Sequence, residues 1–181
     1  EAIWETQRST IVKVLDQAGI GLSEVSAIGI TNQRESTIAW NRETGEALCP
    51  AINWQCRRTA GFCDELKEEG FDELIRNRTG LVTDPYFSGT KMHWILQNVP
   101  EAANLARQGK LCFGTVDSWL IWKLSGGTTH AIEISNASRT LVFDIQKCEW
   151  DSEILSRFGI PPESLPEVVP SSGVIAKVDE S

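Results

Sequence analysis

The stretch Ala27-Ile-Gly-Ile-Thr-Asn-Gln-Arg-Glu-Ser36 changes without a break from an apolar run to consecutive polar side chains. The apolar part predicts a strand over residues 25–30. Ligands of open α/β sheets bind where strands end, so we expect Arg34 and Glu35 at a ligand site. An arginine offers only hydrogen-bond donors and a carboxylate only acceptors, which suits a small ligand whose hydroxyl groups do both. The stretch therefore points to a polyol or a sugar.

An exposed charged pair at a strand edge is the alternative interpretation of this Arg-Glu dipeptide. Two other stretches favour a ligand site. Ala51-Ile-Asn-Trp-Gln-Cys-Arg-Arg-Thr59 places Trp54 at the end of an apolar run, ahead of a predicted helix. Asp84-Pro-Tyr-Phe-Ser-Gly-Thr-Lys-Met-His-Trp94 places Tyr86, the only tyrosine, in a loop that contains proline and glycine. A phenol in such a loop more often serves a ligand than a core.

Four segments together closely resemble the glycerol kinases of the FGGY family of carbohydrate kinases. They are Gln33-Arg-Glu35, Ile52-Asn-Trp-Gln-Cys-Arg-Arg58, Asp84-Pro-Tyr-Phe-Ser-Gly-Thr-Lys91 and Ser135-Asn-Ala-Ser-Arg-Thr140. Residues 86–98 also resemble the signature of that family. The resemblance extends over essentially the whole chain, and the four segments in this order are more specific than any one of them.

The resemblance implies a role for each residue of the candidate site. Arg34 and Tyr86 would form hydrogen bonds with glycerol hydroxyl groups, and Glu35 would accept hydrogen bonds from them. Trp54 would form an apolar wall for the carbon backbone of glycerol. This division agrees with the chemistry of the side chains, because an aromatic face covers C–H groups while polar tips orient O–H groups.

The resemblance also implies the reaction, which is transfer of a phosphoryl group from Mg-ATP to glycerol to give sn-glycerol 3-phosphate. The implied fold is α/β, a ribonuclease-H-like (actin-type ATPase) domain with a mixed sheet flanked by helices, incomplete at both ends. Residues 1–181 would be the central part of the N-terminal kinase domain, on its glycerol side. The phosphate-binding hairpin, the general base aspartate beyond Ser181 and the nucleotide domain would lie outside the chain, so ATP and Mg would bind mainly there.

The composition predicts a soluble protein that binds small molecules. The net charge is −8 at pH 7 and the pI is about 4.8, which argues against nucleic acids and anionic membranes as partners. No apolar run is long enough to cross a bilayer. The five cysteines and two histidines lack the spacing of a metal site, and two glycosylation triplets are interpreted as chance matches. We therefore expect a cytoplasmic protein, and the resemblance implies a homo-oligomer for the whole enzyme.

Helical periodicity and stop signals predict helices, whereas short apolar runs predict strands. The predicted helices cover residues 2–18, 56–69, 72–77, 91–98, 101–108 and 116–124. The predicted strands cover residues 25–30, 111–113 and 140–143, with a hairpin formed by 37–40 and 46–48. The proline-rich tail, residues 159–181, is predicted to run over the surface. The pattern by itself indicates only an α/β fold.

Other conspicuous side chains have ordinary structural explanations. Asp117 lies in the first turn of a predicted helix, where the helix dipole favours a carboxylate. His93 is predicted to pack or lie at the surface, and the sequence names no partner for His130. Trp119 and Trp122 share one helical face, which predicts core packing.

The sequence leaves the roles of two cationic side chains undecided between structure and function. Lys91 and Arg139 both belong to the family-like segments, but each would also serve by holding backbone carbonyls or a carboxylate. The sequence does not choose between these roles.

Two alternative functions remain. One is a related kinase that acts on a pentose or hexose, in the manner of a xylulokinase, although the bulky indole of Trp54 favours a smaller cavity. The other is a polyol-binding module without catalytic activity. An upstream Asp-Gly-Thr-Thr hairpin and a downstream Gly-Asp-Gln segment would favour the kinase.

Overall fold

The computed structural model describes residues 1–179, and the chain divides into two compact units, Glu1–Thr31 and Asn32–Ser181. The first unit contains helix α1 (Ala2–Ala18), as predicted. Gly19 ends it with φ of 67°, a left-handed conformation that glycine adopts without strain. A short 3₁₀ turn, Leu22–Glu24, follows. None of the helices within residues 1–179 has the length and apolar character needed to cross a bilayer.

The second unit alternates helices and short strands. Its helices are α2 (Ala60–Glu68), α3 (Phe71–Thr79), α4 (Ser88–Asn98), α5 (Pro100–Arg107), α6 (Val116–Leu124), α7 (Ile134–Ala137) and α8 (Ser152–Phe158). Its strands are β1 (Ile38–Asn41), β2 (Leu111–Gly114), β3 (Ala131–Glu133), β4 (Phe143–Asp144), β5 (Glu149–Trp150) and β6 (Glu167–Val169). The α/β class is therefore confirmed, and so are most of the predicted helices, with ends displaced by a few residues.

The strands form small separate sheets. β1 pairs with β2 antiparallel, β3 with β6 parallel, and β4 with β5 antiparallel. The expectation of one mixed sheet is therefore wrong for the described residues. The predicted strand over residues 25–30 is also wrong, because a strand needs a hydrogen-bonded neighbour and this run has none within residues 1–179. Two apolar residues of this run, Ile28 and Ile30, are instead exposed.

The predicted hairpin is confirmed by its hydrogen bonds. The Leu48 amide donates to the Ala39 carbonyl over 3.0 Å, and the Asn41 amide donates to the Glu46 carbonyl over 2.9 Å. Gly45 between them has φ of 65°, as expected of a turn residue.

Two predictions near the C-terminus are corrected by backbone geometry and burial. The strand predicted over residues 140–143 is displaced to Phe143–Asp144, because Leu141 has φ of 72° and interrupts an extended conformation. The tail is not only a surface connection, since Ile160 and Leu165 are buried and β6 pairs with β3. Two-residue and three-residue strands of this kind carry too little alternation to be found from sequence.

The start of α4 packs against the loop that follows α7. The Gly89 amide donates to the Thr140 carbonyl over 2.7 Å. A Cβ atom at position 89 would lie 2.8 Å from that oxygen and 2.8 Å from Val142 Cγ1, so only glycine fits without movement. This close approach brings two of the family-like segments together.

A tryptophan cluster forms the core beside β1. Trp40 packs edge-on against Trp119 with 5.3 Å between ring centroids, and Trp122 lies 6.0 Å from Trp40. The predicted core packing of Trp119 and Trp122 is confirmed. His93 also packs as predicted, stacked on Phe62 at 3.8 Å.

His130 has partners in this cluster that the sequence did not reveal. Its Nε2 atom lies 2.8 Å from the Phe113 carbonyl oxygen, and its ring packs edge-on against Trp40 at 5.1 Å. A nitrogen that donates to a carbonyl leaves the other nitrogen unprotonated in the neutral ring. Burial lowers the pKa of His130 from 6.5 to about 4.

Acidification from pH 7 to pH 5 is expected to destabilise the fold through His130. In this range the unfolded chain binds a proton that the folded chain excludes, so stability falls as the pH drops below about 6.5 and the loss levels off near pH 4. The expected loss is about 1–2 kcal/mol between pH 7 and pH 5. Urea unfolding at both pH values measures it, and His130→Gln should remove this part of the pH dependence. An equal pH dependence in the variant would contradict the assignment.

Candidate functional site

Arg34 and Glu35 occupy the turn that leads into β1. The prediction that they follow a strand is wrong, because they precede one. Thr37 exchanges two backbone hydrogen bonds with Ile52, at 2.9 and 3.0 Å. This antiparallel bridge places the segment that carries Trp54 beside the turn that carries Arg34 and Glu35. Residues some twenty positions apart are thus neighbours at the edge of the sheet.

The Glu35 side chain is buried and paired. It is 5% exposed, and its Oε1 atom accepts a hydrogen bond from Arg139 Nε over 3.2 Å. The Arg139 guanidinium also lies over the Phe87 ring, 5.1 Å from the centroid. A buried carboxylate is tolerated when it is paired and hydrogen-bonded. The alternative interpretation as an exposed Arg-Glu pair is therefore wrong, and Arg139 serves by holding a carboxylate.

Lys91 donates hydrogen bonds to backbone carbonyls at and near Glu35. Its fully buried Nζ donates to the Glu35 carbonyl over 2.9 Å, to the Tyr86 carbonyl, and to the Phe87 carbonyl over 3.4 Å. Burial lowers the pKa of Lys91 to about 8. Of the two roles left open, the geometry therefore favours holding carbonyls. Lys91 joins the start of α4 and the Tyr86 loop to the turn that carries Glu35.

Trp54 and Tyr86 form an aromatic pair in front of the buried residues. Their ring centroids are 5.9 Å apart with an interplanar angle of 67°, and Tyr86 in turn packs edge-on against Phe87 at 5.2 Å. Trp54 is 40% exposed, and Tyr86 is half-buried. An indole this exposed contributes little to a core, so its open face remains for contact with another molecule.

Arg34 is anchored by its backbone and exposed at its side chain. Its carbonyl accepts a hydrogen bond from Ser88 Oγ over 3.4 Å. Within residues 1–179 its guanidinium forms no ion pair or hydrogen bond, in contrast to that of Arg139. Arg34 thus adds free hydrogen-bond donors on the residue next to the buried acceptor Glu35.

Backbone contacts thus bring the segments of the four predicted residues together, through the Thr37–Ile52 bridge and through Lys91, which donates to the carbonyls of Glu35 and Tyr86. These segments carry the buried Glu35–Arg139 pair, the aromatic pair Trp54 and Tyr86, and the exposed Arg34. We refer to Arg34, Glu35, Trp54 and Tyr86 as the acceptor cluster. Sequence reasoning left the role of Arg139 undecided, because its partner lies 104 positions away. The family-like segment Ser135–Thr140 was the only signal that pointed to it.

The described residues contain no preformed cluster of metal-ligating side chains. No group of three or more His, Cys, Asp or Glu side chains within residues 1–179 is arranged to hold a metal. Divalent magnesium is normally held by one or two carboxylates together with substrate phosphates.

Comparison with known proteins extends these observations. Residues 1–181 match the model of the N-terminal domain of the FGGY family of carbohydrate kinases. A glycerol kinase of Carboxydothermus hydrogenoformans is 52% identical over 179 residues, which cover 99% of this chain and 36% of that protein. The chain therefore spans only about a third of the length of this relative.

Solved structures agree with this match. The glycerol kinase of Plasmodium falciparum, crystallised with ADP, superposes with a TM-score of 0.83 at 34% identity, covering 86% of this chain and 31% of that chain. A xylulose kinase of Rhodospirillum rubrum superposes with a TM-score of 0.83 at 19% identity, covering 98% and 35%. At that identity the second likeness shows the fold alone. The chain belongs to the FGGY family of carbohydrate kinases.

Proposed function

We propose that the whole protein is an ATP-dependent glycerol kinase, and that this chain supplies the side of the active site that binds glycerol. The reaction is transfer of the γ-phosphoryl group of ATP to a primary hydroxyl, giving sn-glycerol 3-phosphate. The observation that carries the proposal is the acceptor cluster, whose segments are held together by backbone contacts and carry a buried, paired carboxylate, an exposed guanidinium and an aromatic pair. The identity of more than half to a glycerol kinase supports the same substrate.

Each residue of the cluster has a separate task in this proposal. Arg34 and the Tyr86 hydroxyl donate hydrogen bonds to glycerol oxygens. Glu35 accepts hydrogen bonds from glycerol hydroxyl groups, while Arg139 orients its carboxylate. Trp54 covers the carbon backbone. Because Glu35 is buried, a ligand without the matching hydroxyl leaves a carboxylate oxygen unpaired, and this penalty discriminates against analogues.

Phosphoryl transfer requires mainly positioning and compensation of charge. We propose that this chain positions the acceptor hydroxyl, and that the rest of the protein holds Mg-ATP, the phosphate-binding hairpin and the aspartate that acts as general base. In this proposal the described residues are the central part of a ribonuclease-H-like N-terminal domain. The relatives support such a division, since they are about three times as long as this chain. The five free cysteines fit a cytoplasmic setting, and a homo-oligomer stays a prediction for the whole enzyme.

The full-length enzyme tests this proposal with a panel of acceptors. ADP formation is measured with ATP and glycerol, xylulose or gluconate in turn, and the product from glycerol is identified by NMR. We expect phosphorylation of glycerol at the primary hydroxyl, with kcat/KM at least tenfold above that for either sugar substrate. A preference for xylulose would favour the pentulose kinase instead. Glycerol binding without ADP formation would favour the non-catalytic module.

A further inference from the structure

A largely buried hydrogen-bond network joins three separate segments of the chain. Asn32 Nδ2 donates to Thr115 Oγ1 over 2.9 Å, and the Thr115 hydroxyl donates to Asp117 Oδ1. The Asp117 backbone amide donates back to Asn32 Oδ1 over 2.9 Å. The other carboxylate oxygen, Oδ2, accepts from Asn136 Nδ2 over 2.9 Å. We call these four residues the Asp117 network.

A helix dipole does not account for this arrangement. Asp117 does lie in the first turn of α6, as predicted, but its side chain is only 3% exposed and Thr115 is fully buried. A carboxylate that served the dipole alone would remain in contact with water. Burial raises the pKa of Asp117, while hydrogen bonds from Thr115 and Asn136 oppose that rise. A buried carboxylate is costly unless hydrogen bonds replace its lost hydration, and here these hydrogen bonds come from two separate chain segments.

The network connects two segments that lead to the Glu35–Arg139 pair. Asn32 lies three positions before Glu35, and Asn136 lies three positions before Arg139. Asp117 contacts both asparagines, one through its amide and one through its carboxylate. Glu35 and Arg139 meet each other at 3.2 Å. Asp117 therefore closes a ring in which two chain segments are joined at both ends.

We propose that Asp117 is a positioning residue for glycerol, which holds the Asn32 and Asn136 segments in register so that Arg139 orients the Glu35 carboxylate toward the acceptor hydroxyl. This inference rests on the proposed function of the acceptor cluster. Asp117 does not contact the substrate itself. Its contribution is the geometry of the Glu35–Arg139 pair, and small errors in such geometry are costly, since a displacement of about 1 Å lowers rates by up to about 100-fold.

The test variant is Asp117→Asn in the full-length enzyme. Thr115 and Asn136 both donate to the carboxylate, and an amide presents only one acceptor oxygen, so one of these two partners must reverse its hydrogen bond or lose it. We expect KM for glycerol to rise on the order of 10-fold, with KM for ATP unchanged. A general loss of folding would instead lower the apparent kcat and leave the KM values for glycerol and ATP unchanged.

Two further variants separate positioning from stability. Asp144→Asn is the matched control, because Asp144 is also a buried aspartate, 1% exposed, but its carboxylate accepts from the Gln146 and Lys147 amides. It should leave both KM values unchanged. Asn136→Ala serves if Asp117→Asn does not fold, since it removes one hydrogen bond and leaves the Thr115 contact. It should raise KM for glycerol in the same way.

A double-mutant cycle with Glu35→Gln tests whether Asp117 acts through the pair. If it does, the second substitution adds little to the KM of the first, so the combined effect is much smaller than the product of the single effects. Two outcomes would overturn this inference without affecting the proposed function. One is a combined effect on KM equal to the product of the single effects, and the other is an unchanged KM for glycerol in folded Asp117→Asn and Asn136→Ala. An unchanged KM for glycerol in Glu35→Gln, or no phosphorylation of glycerol by the wild type, would overturn the proposed function and the inference together.

Discussion

Replacing Arg34 by alanine in the full-length enzyme is expected to lower kcat/KM for glycerol on the order of 100-fold. The guanidinium of Arg34 is exposed beside Glu35 and forms no ion pair within residues 1–179, so its donors are available to glycerol oxygens. A hydrogen bond to a charged group is worth about 1.5–3 kcal/mol, and its loss accounts for most of this decrease. Steady-state kinetics with varied glycerol measure the effect, and KM for ATP should change little.

The matched control for this substitution is Arg107→Ala. Arg107 is also an exposed arginine, on the last turn of α5, and lies outside the acceptor cluster. It should leave the glycerol kinetics unchanged. Equal kinetics for wild type and Arg34→Ala would return Arg34 to the interpretation of a surface charge without a ligand.

Replacing Trp54 by alanine is expected to shift the substrate preference toward longer polyols. The indole packs on Tyr86 at 5.9 Å and leaves 40% of its surface exposed, as a wall for a three-carbon ligand would. Its removal weakens contact with glycerol and opens room for four- and five-carbon substrates. An apolar wall contributes about 1–3 kcal/mol of discrimination, so the ratio of kcat/KM values should shift roughly 10- to 200-fold.

A substrate panel at saturating ATP measures this shift. Trp94→Ala is the matched control, because Trp94 is a half-buried tryptophan of α4 that lies under the Arg58 guanidinium at 4.5 Å and outside the acceptor cluster. It should leave the ratio unchanged. The contrary result is that Trp54→Ala loses activity on every polyol in the same proportion, or loses the circular dichroism spectrum of a folded protein. Either result would show that Trp54 supports the fold and does not determine specificity.

Helices with a clear period were predictable from the sequence, whereas the sheets were not. Helix α6, residues 116–124, was predicted with its observed ends, because Gly114 precedes it and a polar cluster follows. The apolar run over residues 25–30 looks like a strand, but pairing depends on a neighbour that local pattern does not specify. Strands β3 and β6 are too short to show alternation, and they pair across more than thirty positions.

The candidate site was predictable where its residues lie in recognisable segments. Arg34, Glu35, Trp54 and Tyr86 lie in such segments, and backbone contacts bring these segments together. The partners of Glu35 and Asp117 could not be predicted, because hydrogen bonds across 104 and 19 positions depend on the tertiary fold. Asp117 illustrates the difficulty, since the helix dipole explains its position in sequence but not its burial.

A crystal structure of the full-length enzyme with glycerol and ADP tests the central claim most directly. The account predicts glycerol in the acceptor cluster, with its oxygens about 2.6–3.2 Å from polar side-chain atoms of Arg34, Glu35 and Tyr86, and its carbon backbone against the Trp54 ring. Glycerol bound beside the ADP phosphates without contact to Arg34 and Glu35 would contradict the account.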